Sequence, residues 1–287
     1  MSDVFSRFAP FIQDYIYRCK WEELREIQVL AAKAIFDTDE NLLLSSGTAS
    51  GKTEAAFLPV LTQLWENPSA SVGVLYLSPL KALINDQFER LEGLLEEAAI
   101  PVTKWHGDAS AAAKKRVMKR PQGVIQTTPE SLESMLMHNS SGAYRLFSDL
   151  RFIIIDEMHY FMDNDRGLQL LCLLERLARL IGYHPRRIGL SATLGDCTSA
   201  VQWLNTDSGR DCIVPKCHEK GRSLRLSVRF FPIKEKIPNS DSKVLLQNYY
   251  DYLFESTWNK RCILFSNSKG EVEENIAHLR RIAAERR

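Results

Sequence analysis

The residues Ser46-Gly-Thr-Ala-Ser-Gly-Lys-Thr53 form a glycine- and serine-rich loop that runs into a helical pattern beginning near Lys52. Successive backbone N–H groups in such a loop point inward and, with the positive end of the following helix, make a cradle for anions. Ser46, Gly47, Thr48, Ala49 and Ser50 supply the backbone of that cradle, and Gly51 lets the chain come close to a phosphate. Lys52 can reach the outer phosphates as a point charge, and the Thr53 hydroxyl can ligate Mg²⁺. The strict pattern asks for glycine where this chain has Ser46, so the match is partial. A plain polar turn ending in Lys-Thr is the competing reading, and the strand–loop–helix context argues against it.

Downstream, Asp156-Glu-Met-His159 follows the apolar run Phe152 to Ile155. A carboxylate at the end of a buried strand, across from a phosphate loop, can hold Mg²⁺, and its neighbour can polarise an attacking water. An Asp-Glu pair alone is weak evidence; together with the phosphate loop it is strong. Three further polar segments, Ser78-Pro-Leu-Lys81, Thr127-Thr-Pro-Glu130 and Ser191-Ala-Thr193, also follow apolar runs directly. In an open α/β sheet functional groups collect at the carboxyl ends of the strands. The five segments therefore predict a nucleotide and a second ligand along one edge.

The elements that must position these groups are legible as continuous apolar runs at 41–44, 74–77, 124–125, 152–155 and 188–190. Continuous apolarity suits strands buried on both faces, as in a parallel sheet. Between them, Thr53 to Trp65 and Leu168 to Leu180 carry leucines at helical spacing. Strand–helix alternation with right-handed crossovers predicts an α/β fold, a parallel sheet covered by helices on both faces. Near Asp211 the rhythm changes. Leu224 to Ile233 alternates like a strand, Ser242 to Thr257 reads as a helix, Cys262 to Phe265 as a strand and Lys269 onward as a charged helix. These last residues are too few for a whole domain.

Thirty-seven basic residues face 36 acidic ones in 287, a net charge of +1, so binding to a polyanion must use a local patch. The amino-terminal residues include Asp3, Arg7 and Asp14 and do not read as a signal peptide. Leu168 to Ile181 is broken by Glu175, Arg176 and Arg179 and is no membrane span, so a soluble intracellular, cytoplasmic protein is expected. The six cysteines lack the paired spacing of a zinc site, Cys212, Cys217 and His218 included, and read as free thiols. Lys114-Lys-Arg116 with Lys119-Arg120 reads first as a solvated helix face, and Trp105, Trp203 and Trp258 as core or interface.

The ordered set Gln28, GTASGKT, SPLKALIND, HGD, TTPESL, DEMH, SAT and ILFSNS resembles superfamily 2 helicases, most of all the large helicase-related (Lhr-like) group and its DEAD/DEAH-box relatives. The likeness runs from about residue 20 to about 280. It implies a RecA-like P-loop NTPase domain over 21–222 after a lead-in at 1–20, then a linker and a partial second RecA-like domain over 223–287. ATP and Mg²⁺ are the implied cofactors, and single-stranded or partly duplex DNA or RNA the implied partner, with subunits of a larger complex as a further one. By that resemblance Gln28 reads the adenine, with Trp21 nearby, and Lys52, Asp156 and Glu157 serve ATP hydrolysis. Ser78, Lys81, Thr127, Thr128 and Glu130 line the strand, and His159, Ser191 and Thr193 couple it to the nucleotide. The arginine finger that such helicases carry late in the second domain is not matched by Arg280, Arg281, Arg286 or Arg287, and the sequence reads as truncated. The expected function is an ATP-dependent helicase or translocase; the alternative is an ATP-switched nucleic-acid-binding subunit of a repair or defence complex.

Overall fold

The computed structural model describes residues 3–47, 50–192, 194–217, 226–231 and 241–286. The chain divides into two compact units, Met1–Glu219 and Lys220–Arg287. The strands of the first are β1 (Asn41–Ser45), β2 (Val72–Leu77), β3 (Val102–Trp105), β4 (Gly123–Thr127), β5 (Phe152–Ile155), β6 (Arg186–Ser191) and β7 (Cys212–Ile213). They form one sheet in the order β3-β4-β2-β5-β6-β1-β7, and each neighbouring pair is parallel. The helices are α1 (Pro10–Arg18), α2 (Glu26–Asp37), α3 (Lys52–Glu66), α4 (Lys81–Glu97), α5 (Ala111–Lys119), α6 (Pro129–His138), α7 (Ser140–Phe147), α8 (Asp165–Ile181) and α9 (Thr198–Asn205). The expected α/β class with a helix-covered parallel sheet is what the chain forms.

Side chains alternate across the strands and build two cores. Leu42, Leu44, Val74, Tyr76, Val124, Ile154 and Ile188 pack with residues of α1 to α4 on one face. Leu43, Leu75, Leu77, Ile125, Ile153 and Ile155 pack with α5 to α9 on the other. Right-handed crossovers explain the division: the chain steps one way along the sheet through α3 and α4, then back through the later helices. Residues 3–18, including buried Val4, Phe8, Ile12 and Ile16, belong to the first of these cores.

Two consecutive arginines at the start of β6 close helix ends. Arg186 donates to the carbonyls of Ala34, Ile35, Thr38 and Glu40, capping α2, and Arg187 donates to those of Leu204 and Thr206, capping α9. Carbonyls left over at a helix end attract a cation, and a guanidinium serves several at once.

The second unit contains α10 (Asp241–Thr257) and α11 (Lys269–Glu285), joined through Tyr250, Leu253, Phe254 and Ile282. Both helices agree with the sequence patterns. The two strands expected beside them are not formed among the described residues: 226–231 and 261–266 carry no regular structure. Leu224, Arg225, Pro232 and Ile233 lie outside the described residues. Val228, Phe230, Ile263 and Phe265 are all more than 80% exposed. Alternation predicts which face a strand would bury, but a strand exists only when a neighbour completes its ladder. No helix among the described residues is long and apolar enough to cross a membrane.

Candidate functional site

The register fixes which loops share an edge. Ser45 pairs with Ser191, Leu77 with both Ile155 and Thr127, and Trp105 with Thr127. Ser46, Ser78, His106, Thr128, Asp156 and Ala192 therefore leave the sheet on the same side, at the strand carboxyl ends. The order along that edge separates two groups. β1, β6 and β5 carry the 46–53 loop and the Asp156 turn, while β2, β4 and β3 carry Ser78, Thr127, Thr128 and the His106 loop.

In the first group, Gly51 caps α3 with φ 86°, a left-handed conformation that costs glycine little. A side chain there would also meet the Gln28 amide, which lies beside the loop. Gln28 is buried, and its Oε1 accepts the Arg25 N–H at 2.9 Å, so α2 delivers the amide to the loop. Lys52 begins α3, followed by Thr53, and its Nζ donates to the carbonyls of Ser46 (2.6 Å) and Gly47 (3.0 Å). Burial lowers its pKa, against the opposing pull of Glu157 and Asp156, which places the ammonium within electrostatic reach of both carboxylates. Ser46 and Ser50 hydroxyls bond across the loop at 2.6 Å. Thr48 and Ala49 lie outside the described residues.

Asp156 is buried at the end of β5. Its Oδ2 accepts the Tyr76 hydroxyl and its Oδ1 the Glu157 N–H at 3.0 Å. Burial raises its pKa; the Tyr76 bond opposes this, and the nearby Glu157 charge adds to it. Glu157 itself holds a left-handed conformation, φ 45°, uncommon for a side-chain-bearing residue. His159 Nδ1 lies 3.3 Å from Glu157 Oε2 and 3.4 Å from Ser191 Oγ, so the acidic turn and the end of β6 meet at one ring. Thr193 lies outside the described residues. Among those described, no three or more His, Cys, Asp or Glu side chains converge. The hard oxygens of Thr53 and Asp156 fit magnesium, which binds through one or two protein oxygens alongside phosphate.

In the second group, Ser78 is buried with its hydroxyl 3.4 Å from the Leu80 carbonyl, and Lys81 opens α4 paired with Asp108 at 2.9 Å. The Thr127 hydroxyl donates to the Trp105 carbonyl at 2.6 Å, and Thr128 stands at the N-cap position of α6 without a side-chain capping bond. Glu130, in the first turn of α6, accepts from Arg166 Nε at 2.7 Å. Two participants escaped sequence reasoning. Tyr76 resembled any core aromatic, and the α8 residue Arg166 has its partners 36 and 87 positions away. Their signal is spatial.

All six cysteines are free thiols. Trp105 and Trp203 pack against the second core, while Trp258 is exposed, with its ring 4.8 Å from that of Phe254. Trp21 packs edge-on to Tyr15 at 5.9 Å and against the first core. Arg286 pairs with Asp251 and Glu255, and Arg281 with Glu285, all inside the second unit.

Comparison with known proteins gives the family. Residues 25–200 match the DEAD/DEAH box helicase model. The ATP-dependent helicase Lhr-Core of Methanocaldococcus jannaschii is 31% identical over 94% of this chain and 33% of its own length. A solved structure of the Mycobacterium smegmatis helicase Lhr, bound to ssDNA and AMP-PNP, superposes with TM-score 0.75 at 29% identity, covering 99% of this chain and 37% of that one. The DUF1998 helicase MrfA shares the fold, with TM-score 0.76 at 24% identity over 100% of this chain and 42% of its own. The chain thus spans about a third of the length of the curated Lhr-Core relatives it matches. Its sheet is of the RecA-like helicase type, and the chain belongs to the DEAD/DEAH box helicase family.

Proposed function

We propose that this chain is the ATP-binding half of a nucleic-acid helicase or translocase, in which binding and hydrolysis of Mg·ATP move a single strand of DNA or RNA. The observation that carries the reading is the shared sheet edge. Lys52, Asp156 and Glu157 occupy one stretch of it, Ser78, Lys81, Thr127 and Thr128 the adjoining one, and His159 with Ser191 ties two strand ends in the first. Family membership and the ssDNA held by the Lhr relative support it. The same reading assigns 21–222 to the first RecA-like domain, after a lead-in at 1–20, and 223–287 to a linker and the beginning of a second, in a cytoplasmic protein.

Each residue then has a physical task. When bound, Mg·ATP supplies the transferable phosphoryl group and the cation that neutralises charge upon it. The loop from Ser46 to Gly51 offers its backbone N–H groups to the phosphates, and Lys52 adds a charge that is now turned onto the Ser46 and Gly47 carbonyls. Thr53 and Asp156 would hold the magnesium, and the Tyr76 hydroxyl bonded to Asp156 Oδ2 keeps that carboxylate pointed. Glu157 orients water for attack. Gln28 reads the adenine. Ser78, Lys81, Thr127 and Thr128 take the strand through its phosphates and sugars, so contact is independent of base identity.

Anisotropy of a labelled single-stranded oligonucleotide tests the strand half. Binding should be weak and should fall with salt, at about −0.7 in log–log slope per phosphate neutralised. Combined Lys81→Ala and Thr128→Ala should weaken it further. Affinity that is the same from low to high salt would refute tracking of the phosphate backbone.

A further inference from the structure

Arg166 touches two separate pieces of the strand-facing half, and the turn that follows Asp156 and Glu157, at once. Its Nε donates to Glu130 Oε1 and its Nη2 to the Pro79 carbonyl, each at 2.7 Å, while its guanidinium carbon lies 5.5 Å over the Phe161 ring. Pro79 belongs to the Ser78–Lys81 turn and Glu130 to the first turn of α6, directly after Thr127 and Thr128.

The base of this arm is itself held. Arg166 is the second residue of α8, whose cap Asn164 accepts the Gly167 N–H at 3.0 Å and donates to the Tyr160 and Met162 carbonyls. A side chain at position 167 would fall on the Phe161 carbonyl, so Gly167 lets α8 sit against the turn that follows Asp156 and Glu157. One helical turn on, Gln169 bonds Glu133 at 2.7 Å, a second link between α8 and α6.

We propose that Arg166 is a positioning residue for nucleic acid, locking the Ser78–Lys81 turn and the amino end of α6 into the geometry that grips a strand. The inference rests on the function proposed above and gives Glu130 a different place in it. A carboxylate bordering a phosphate track repels the polyanion, so a direct strand contact is a poor use of it. As the partner of Arg166 it has a clear use. Burial alone would raise the pKa of Glu130, but the Arg166 bond, its own backbone and the Thr128 hydroxyl outweigh this and hold the carboxyl below its usual range. Arginine suits the task because its planar fork can bind a carboxylate and a carbonyl in fixed directions, which an ammonium cannot.

The test uses the full chain and labelled oligothymidylate and oligouridylate, read by anisotropy across a salt series. Arg166→Ala should lower affinity roughly tenfold, the size expected when two such polar contacts are lost. The salt slope should not change, because Arg166 neutralises no phosphate, and Mg·ATP affinity measured without a strand should stay within about twofold of wild type. Arg166→Lys should recover only part of the loss, and Glu130→Gln should weaken binding although it removes a negative charge. The double variant should be no worse than Arg166→Ala alone.

A slope reduced by about 0.7 would make Arg166 a direct phosphate contact and overturn the proposal. Tighter binding in Glu130→Gln, or unchanged binding in Arg166→Ala, would overturn it too. If Arg166→Ala does not fold, Arg166→Lys and Glu130→Gln carry the same signs. Wild-type chain that binds neither oligonucleotide would bring down the nucleic-acid reading itself, which separates that failure from failure of the brace.

Discussion

Replacing Tyr76 by phenylalanine removes the hydroxyl that bonds Asp156 beside the candidate magnesium site. The ring is fully buried and sits 5.7 Å from that of Phe57, a contact phenylalanine keeps. What is lost is the hydroxyl that donates to Asp156 Oδ2, leaving the Glu157 N–H on the other oxygen. A hydrogen bond to an ionised acceptor contributes about 1.5–3 kcal/mol. Lost from the orientation of a metal-holding carboxylate, that corresponds to a drop of roughly 10- to 100-fold in Mg²⁺ affinity, the usual range for partners that orient a ligand. The assay is calorimetric binding of ATP at stepped Mg²⁺ concentrations. Tyr76→Phe should need 10- to 100-fold more Mg²⁺ to reach the same ATP affinity, with a urea unfolding slope equal to wild type. A magnesium requirement within about twofold of wild type would show that Asp156 is aimed without Tyr76 or does not hold the cation.

Two further outcomes follow from the same structure. Arg186→Met strands the carbonyls that end α2 and should cost about 3 kcal/mol in urea denaturation, with Arg186→Lys recovering part; a loss under about 0.5 kcal/mol would mean that water replaces the guanidinium. An arginine finger is worth on the order of 10³ to 10⁵ in rate, or about 4 to 7 kcal/mol of barrier, and Arg281 of α11 and Arg286 just beyond it are engaged within their own unit. Phosphate release by this chain alone should therefore stay barely above background even with a polynucleotide. Robust stimulated turnover that disappears in Glu157→Gln would contradict this.

Much of the fold was legible because buried parallel strands are continuous apolar runs. Asn41 to Leu44 and Phe152 to Ile155 could be little else, and β1 and β5 lie there. Strand β3 was not foreseen: it is short, lies at the sheet edge and includes the polar Thr103 and Lys104. Arg186 and Arg187 look like a solvated pair, yet both are buried, since their partners are helix-end carbonyls that no local pattern reveals. The segment Cys262 to Phe265 reads as a strand and carries no regular structure, because a ladder depends on a neighbour and not on the segment. Candidate site residues at strand ends could be found from sequence, since polar groups stop an apolar run there. Tyr76 and Arg166 could not, because what distinguishes them is a partner far along the chain.

The central claim is that the loop from Ser46 to Thr53 and the Asp156–Glu157 turn form one Mg·ATP site. Its most direct test is Mg·ATP titrated calorimetrically into wild type and Lys52→Ala, with thermal unfolding followed in parallel. Lys52 is half-buried at a loop–helix junction, and its hydrogen bonds among the described residues go to loop carbonyls 5 and 6 positions away, so its loss should leave the fold intact. Wild type should bind saturably, Lys52→Ala should lose most of that affinity, and the two unfolding curves should superimpose. Equal Mg·ATP binding by the two proteins would contradict the claim.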